Sequence, residues 1–117
     1  MLSKGGIEVD IQRKKGILDI CVLSVLRKEP SYGYQIIQDV SQCIEVNDST
    51  MYPILRRLET TGCVTTYSNE YNGRMRKYFT ITQTGINKIE EFLAEWDEVG
   101  KIYEFVGNYG KEGKESK

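Results

Sequence analysis

The chain has 117 residues, enough for one small domain and too few for two ordinary ones, so a single core is expected. Its 16 basic and 17 acidic residues leave a formal charge of -1, which by itself names neither nucleic acid nor a membrane as partner. It contains no histidine, which removes the commonest general base and the commonest zinc ligand, and no apolar run approaches the ~18 residues that span a bilayer.

The opening MLSKGGIEVD lacks the apolar stretch of a signal peptide, so residues 1–10 are expected to be a flexible arm of a soluble, cytoplasmic protein. After the basic cluster Arg13, Lys14 and Lys15, the run Ile17, Leu18, Ile20, Cys21, Val22, Leu23, Val25 and Leu26 is apolar at almost every position. Its length suits a helix over roughly residues 11–28, with a strand as the alternative. A helix apolar nearly all round must be covered on more than one side, and in so small a chain a second copy is a natural cover. Cys21, Cys43 and Cys63 are odd in number and widely spaced, which predicts buried reduced thiols rather than a disulfide framework or a metal site.

Pro30 ends the first helix, and Ser31 is placed to cap a second, SYGYQIIQDVSQ, with Ile36, Ile37 and Val40 as its apolar stripe. Gly33 in its first turn is a poor helix former. Either it permits a close backbone approach or packing overrides its propensity.

A third helix follows the polar connection IEVNDS, in the stretch STMYPILRRL. At ~100° per residue, Met51, Ile54, Leu55 and Leu58 share one face, and Ser49, Pro53, Arg56 and Thr60 the opposite one, flanked by Tyr52 and Arg57. Pro53 has no amide hydrogen, which predicts a cap close by, at Ser49 or Thr50, rather than back at Asn47. Gly62 is the expected stop.

From Cys63 the period changes to two. The Asn72-Gly73 pair predicts a two-residue type I′ hairpin turn, which sets Tyr71 opposite Arg74, Thr66 opposite Phe79 and Val64 opposite Ile81. One face then carries Val64, Thr66, Phe79 and Ile81, and the other Tyr67, Tyr78, Arg74 and Arg76. The last helix starts near TQTG and is expected to run to about Val106, leaving residues 107–117 as a flexible tail. Ile89, Trp96 and Tyr103 are spaced by heptads, as are Phe92, Val99 and Val106, with Ile86 and Leu93 widening a seam too apolar to leave in water.

Charge divides along the chain. Residues 49–80 carry Arg56, Arg57, Arg74, Arg76 and Lys77 against Glu59 and Glu70, whereas residues 86–106 carry six acids against Lys88 and Lys101. Three helices, a basic-tipped hairpin and a long helix are the parts of an α+β, mostly α, winged helix-turn-helix over residues 11–82, with a C-terminal dimerisation helix over 83–106. The third helix of such a fold enters the DNA major groove, where Arg bonds guanine and Tyr or Ser reach phosphate and base edges. A hairpin tip with Arg74 beside Asn72 and Gly73 suits a neighbouring groove or the backbone. A winged-helix module that binds protein instead of DNA is the alternative, although it has no need of Arg56, Arg74 and Arg76 on one side. No nucleophile with a neighbouring base and no glycine-rich phosphate loop are present, so neither an enzyme nor a cofactor is expected.

The segments SYGYQII, STMYPILRRLETTGCV and NGRMRKYFTIT, followed by TGINKIEEFLAEW, resemble the PadR family of bacterial transcriptional regulators over roughly residues 12–106. More narrowly they resemble its short subfamily, which includes multidrug-binding repressors of the LmrR type. The resemblance implies a homodimer reading a pseudo-palindromic DNA operator, with DNA contacts at Tyr34, Ser49, Thr50, Tyr52, Arg56, Asn72, Gly73, Arg74 and Arg76. It implies a dimer interface through Ile17, Ile20, Ile89, Phe92, Trp96, Val99 and Tyr103. It also implies a pore in which Trp96, with Asp19, Ile20 and Leu93, holds a small aromatic ligand, cationic because Asp19, Glu95, Asp97 and Glu98 stand around it. Leu93 and Gly100 depart from the pattern of those members.

Overall fold

A computed structural model describes the backbone of residues 11–116 and the side chains of residues 16–109. The expected N-terminal arm, the side chains of Arg13, Lys14 and Lys15, and those of the tail beyond Tyr109 lie outside the described residues. In chain order the elements are α1 (Ile11–Lys28), β1 (Ser31–Tyr32), α2 (Gly33–Val40), α3 (Asp48–Thr60), β2 (Val64–Tyr71), β3 (Arg74–Ile81) and α4 (Gln83–Ser116). The three strands form one antiparallel sheet in the order β1-β3-β2. The result is a winged helix-turn-helix extended by a long helix.

α1 is the centre of the core. Leu18, Val22, Leu23 and Leu26 are buried by packing against α2, α3, β3 and the start of α4. Much of the cover that its all-round apolar sequence demands thus comes from the chain itself. Among its described side chains, the edge at Gly16 and half-buried Ile17 is left open, as are the polar positions Ser24, Arg27 and Lys28. Of the three thiols, Cys63 is buried, Cys21 is half-buried and Cys43 is exposed, so the expectation of buried cysteines fails at Cys43.

Ser31 does not cap α2. It pairs with Phe79 in the sheet, and the helix starts two residues later, with Tyr32 in extended conformation at the cap position. α3 also starts differently from expectation. Asn47 is its cap, its side chain accepting the Thr50 amide at 3.1 Å, so Pro53 lies inside the helix. A proline there returns no hydrogen bond to the carbonyl of Ser49, four residues back. Ser49 and Pro53 are both exposed, so water can serve that carbonyl, while the buried face of Met51, Ile54, Leu55 and Leu58 holds the helix regardless. Burying those four side chains contributes on the order of 6–12 kcal/mol before entropy is counted. The far end behaves as the sequence predicts: Gly62 has φ +80°, its amide bonds the Glu59 carbonyl at 3.1 Å and that of Cys63 the Leu58 carbonyl at 2.9 Å, closing a Schellman motif.

The hairpin has the predicted register throughout, from Val64 opposite Ile81 to Tyr71 opposite Arg74. Asn72 at φ +51° and Gly73 at φ +77° supply the two positive angles of a type I′ turn. Val64 and Phe79 point into the core.

Thr82 welds α4 to the rest. Its hydroxyl donates to the Gly62 carbonyl at 2.6 Å and accepts the Gly85 amide at 3.3 Å. A methyl group on Gly85 would stand 2.5 Å from the Cys63 carbonyl oxygen, so only glycine lets the helix start this close to β2. Ile89 is then buried in the core, and beyond Phe92 the helix leaves the domain. It continues ten residues past the expected end at Val106, to Ser116, because extending a formed helix adds a backbone bond for each residue fixed, glycines included. The molecule is accordingly long, 72 × 31 × 22 Å. Among the described residues no helix is long and apolar enough to cross a membrane.

One polar tie crosses the core. Arg57 Nη2 of α3 donates to Asp19 Oδ1 of α1 at 2.6 Å, and the Asp19 side chain is 12% exposed against 42% for Arg57. Burial pushes the Asp19 carboxyl above its ordinary range, and Arg57, then Lys88, pull it only partly back. The folded chain therefore holds a proton on Asp19 more readily than the unfolded one. The site's contribution to stability is full at acid pH and falls as pH rises through the folded pKa. Removing Arg57 leaves a mostly buried carboxylate without its partner, and the exposure of Arg57 keeps the cost below that of a fully buried pair. Arg57→Met is expected to lose about 1–3 kcal/mol at neutral pH, read from the urea midpoint at unchanged m. The loss should shrink as pH falls through the raised Asp19 pKa and the carboxyl takes up a proton, and a loss that does not change with pH across the acid range would contradict the assignment.

Candidate nucleic-acid interface

With one face of α3 buried, the other must face solvent. Ser49, Thr50, Tyr52, Pro53 and Arg56 are all exposed there. Ser49 Oγ donates to Asn47 Oδ1 at 2.9 Å, the same oxygen that receives the Thr50 amide, so the cap fixes both residues at the helix tip. Arg56 makes no ion pair among the described residues. Arg57, one position on, is turned back to Asp19 and leaves the outward face.

The hairpin presents its cations in two ways. Arg74 follows the turn of Asn72 and Gly73, exposed and without an ion pair among the described residues. Arg76 is instead clamped between two tyrosines, its guanidinium 3.8 Å from the Tyr32 ring centre and 3.9 Å from that of Tyr71. Tyr78 braces this stack. Its ring meets Tyr67 face to face at 5.4 Å and Tyr32 edge-on at 5.6 Å, and its hydroxyl accepts from Arg76 Nη1 at 3.5 Å. Neutral rings fix the position of the guanidinium without cancelling its charge, which is what a preorganised anion contact needs.

The wing is also tied to α3. Glu59 near the helix end lies 3.8 Å from Lys77 Nζ and accepts the Thr66 hydroxyl at 3.3 Å. Between the wing and the start of α2 runs a groove lined by Tyr32, Gly33, Tyr34, Tyr52, Arg76, Lys77 and Phe79. The sequence-predicted positions Tyr34, Tyr52 and Arg76 therefore share one groove, with Arg56 on the same helix as Tyr52 and Arg74 at the wing tip. Sequence reasoning missed Asn47, Tyr32, Tyr71 and Lys77. The alternation Tyr67, Asn69, Tyr71, then Arg74, Arg76, Tyr78 was the available signal for the aromatic clamp, because period two on strands joined by a two-residue turn puts these residues on one face.

The ligand positions separate. Trp96 lines an open groove of about 510 Å³ with Gly16, Ile17, Phe92, Glu95 and Val99, its ring centre 5.9 Å from that of Phe92. Asp19, Ile20 and Leu93 do not line it: Asp19 is paired with Arg57, Ile20 is buried and Leu93 lies on the open surface. The seam positions separate as well. Ile20 and Ile89 are used in the chain's own interior, Ile17 and Phe92 are half-buried, and Trp96, Val99 and Tyr103 are exposed. Ile102, Phe105, Val106 and Tyr109 extend that exposed apolar surface along α4.

The family of PadR-like transcriptional regulators matches residues 22–91, which holds α2, α3, the wing and the start of α4. An uncharacterised protein of Lysinibacillus sphaericus is 31% identical over 93 residues, 75% of this chain and 85% of that one. The structure of a PadR family transcriptional regulator from Eggerthella lenta DSM 2243 is 35% identical, covering 79% of this chain and 82% of that one with a TM-score of 0.64. A PadR-like transcriptional regulator of Bacillus cereus strain ATCC 14579 is 28% identical, covering 81% of this chain and 95% of that one with a TM-score of 0.71. The outward face of α3, the basic wing and these likenesses agree, and the chain belongs to the PadR-like family of transcriptional regulators.

Proposed function

We propose that this regulator works as a homodimer that reads a pseudo-palindromic DNA operator and represses transcription until a small, flat, cationic aromatic ligand binds at the dimer interface, as in the short multidrug-binding branch of the family. The observation that carries the DNA reading is that Tyr52 and Arg56 of α3 and Arg74 and Arg76 of the wing are all presented outward by one domain. Ser49, Thr50, Asn72 and Gly73 supply amides and hydroxyls at the two tips, and Tyr34 meets the backbone.

Dimerisation answers a problem that a single chain leaves open. Trp96, Val99, Ile102, Tyr103, Phe105 and Val106 are 43–78% exposed on α4, an apolar surface that water does not tolerate over several turns. Packing α4 of one protomer against α1 and α4 of its partner covers it, together with Ile17 and Phe92. It also places two α3 helices for two half-sites. The groove at Trp96 then lies at the interface, and Glu95 in its wall favours a cation.

On a duplex taken from upstream of the protein's own gene, Arg74→Ala should weaken binding to all sequences and flatten the salt slope by about one unit per protomer, whereas Arg56→Ala should also relax base preference. Absence of binding at low salt would end the DNA reading. For the ligand, planar aromatic cations should quench Trp96 fluorescence and release the duplex; no quenching across a broad panel would leave Trp96 as interface packing.

A further inference from the structure

Gly33 has no backbone reason to be glycine. It is the first residue of α2 and is absent from the positive-φ positions, which are Asn72, Gly62 and Gly73. Alanine is the better helix residue at such a site. What excludes a side chain is Tyr52, reaching across from the second turn of α3. A methyl group on Gly33 would fall on the Tyr52 hydroxyl and stand 2.9 Å from Cε1 and 3.0 Å from Cζ. Tyr52 is nevertheless 43% exposed, so its ring has an open side into which it can swing. A methyl group at position 33 would therefore cost the fold little and move the ring.

The place the ring occupies has a chemical character. Tyr34, Arg76 and Lys77 line the same groove as Gly33 and Tyr52, and Arg76 is already fixed there by Tyr32 and Tyr71. Hydroxyl donors beside held cations suit a phosphate oxygen.

We propose that Gly33 is a positioning residue for DNA binding: the space left by its missing side chain seats the Tyr52 ring across the start of α2, where its hydroxyl meets a backbone phosphate together with Arg76. This rests on the reading of the α3 face as DNA-binding. Seating one rigid ring costs little conformational entropy, and because the tyrosine carries no charge its loss leaves the number of phosphates neutralised unchanged.

The test is a double-mutant cycle of wild type, Gly33→Ala, Tyr52→Ala and the double variant. It is read by fluorescence anisotropy on the duplex that the wild-type protein selects from a random-sequence library. Gly33→Ala should weaken binding about tenfold beside Tyr52, and less than about twofold in the Tyr52→Ala background. Its Tm should not fall and its salt slope should match wild type, which a general loss of structure or of charge would not allow. Equal losses in both backgrounds, a lowered Tm, or wild-type binding by Gly33→Ala would each overturn the positioning role while leaving DNA reading intact. A wild-type protein that enriches no sequence would overturn both.

Discussion

Everything in this domain depends on α1 being enclosed. Val22 and Leu23 are wholly buried, and α2, α3, β3 and α4 all pack on the same helix. A helix that is apolar on nearly every side cannot rest on a single neighbour, so its sequence forces the others to gather round it. Each neighbour thereby has its inner face decided, and with it its outer face. For α3, burial of Met51, Ile54, Leu55 and Leu58 leaves the helix no freedom to turn Arg56 inward.

The polar contacts refine that arrangement rather than create it. Asp19 on the hub takes Arg57 and so removes one of two adjacent arginines from the outward face, leaving Arg56 without a competitor. Glu59 ties the end of α3 to the wing, and the tyrosines of the sheet hold Arg76 in place. Each of these is weak alone, because exposed ion pairs and single cation–π contacts contribute little. Their common effect is geometric, since α3 and the wing are kept at one mutual setting.

Some of this was legible in the residues and some was not. The hairpin register was, because Asn72-Gly73 admits one turn type and a two-residue turn fixes every pair that follows. The inner face of α3 was, because four apolar residues at helical spacing leave one choice. The start of α3 was not: proline preference argued for a late cap, but the Asn47 side chain offered a better partner to the Thr50 amide and tertiary burial carried Pro53 along. β1 is two residues long, too short for any period to show. The pairing of Asp19 with Arg57 spans 38 positions, and no local pattern encodes a contact of that range. The same distance problem hid how α1 serves as the chain's own hub, with Asp19 held by Arg57 and Ile20 buried.

A single chain leaves the apolar distal half of α4 without a purpose, while the α3 face and the wing look outward with nothing to meet. A regulator built from two such chains joins the two facts. The most direct measurement is a hydroxyl-radical footprint on the selected duplex, combined with the protein-to-duplex ratio at saturation. The account predicts two chains per duplex and two protected patches related by two-fold symmetry, centred one helical turn of about 10 bp, or a multiple of it, apart. A single unsymmetric patch with one chain per duplex would contradict it.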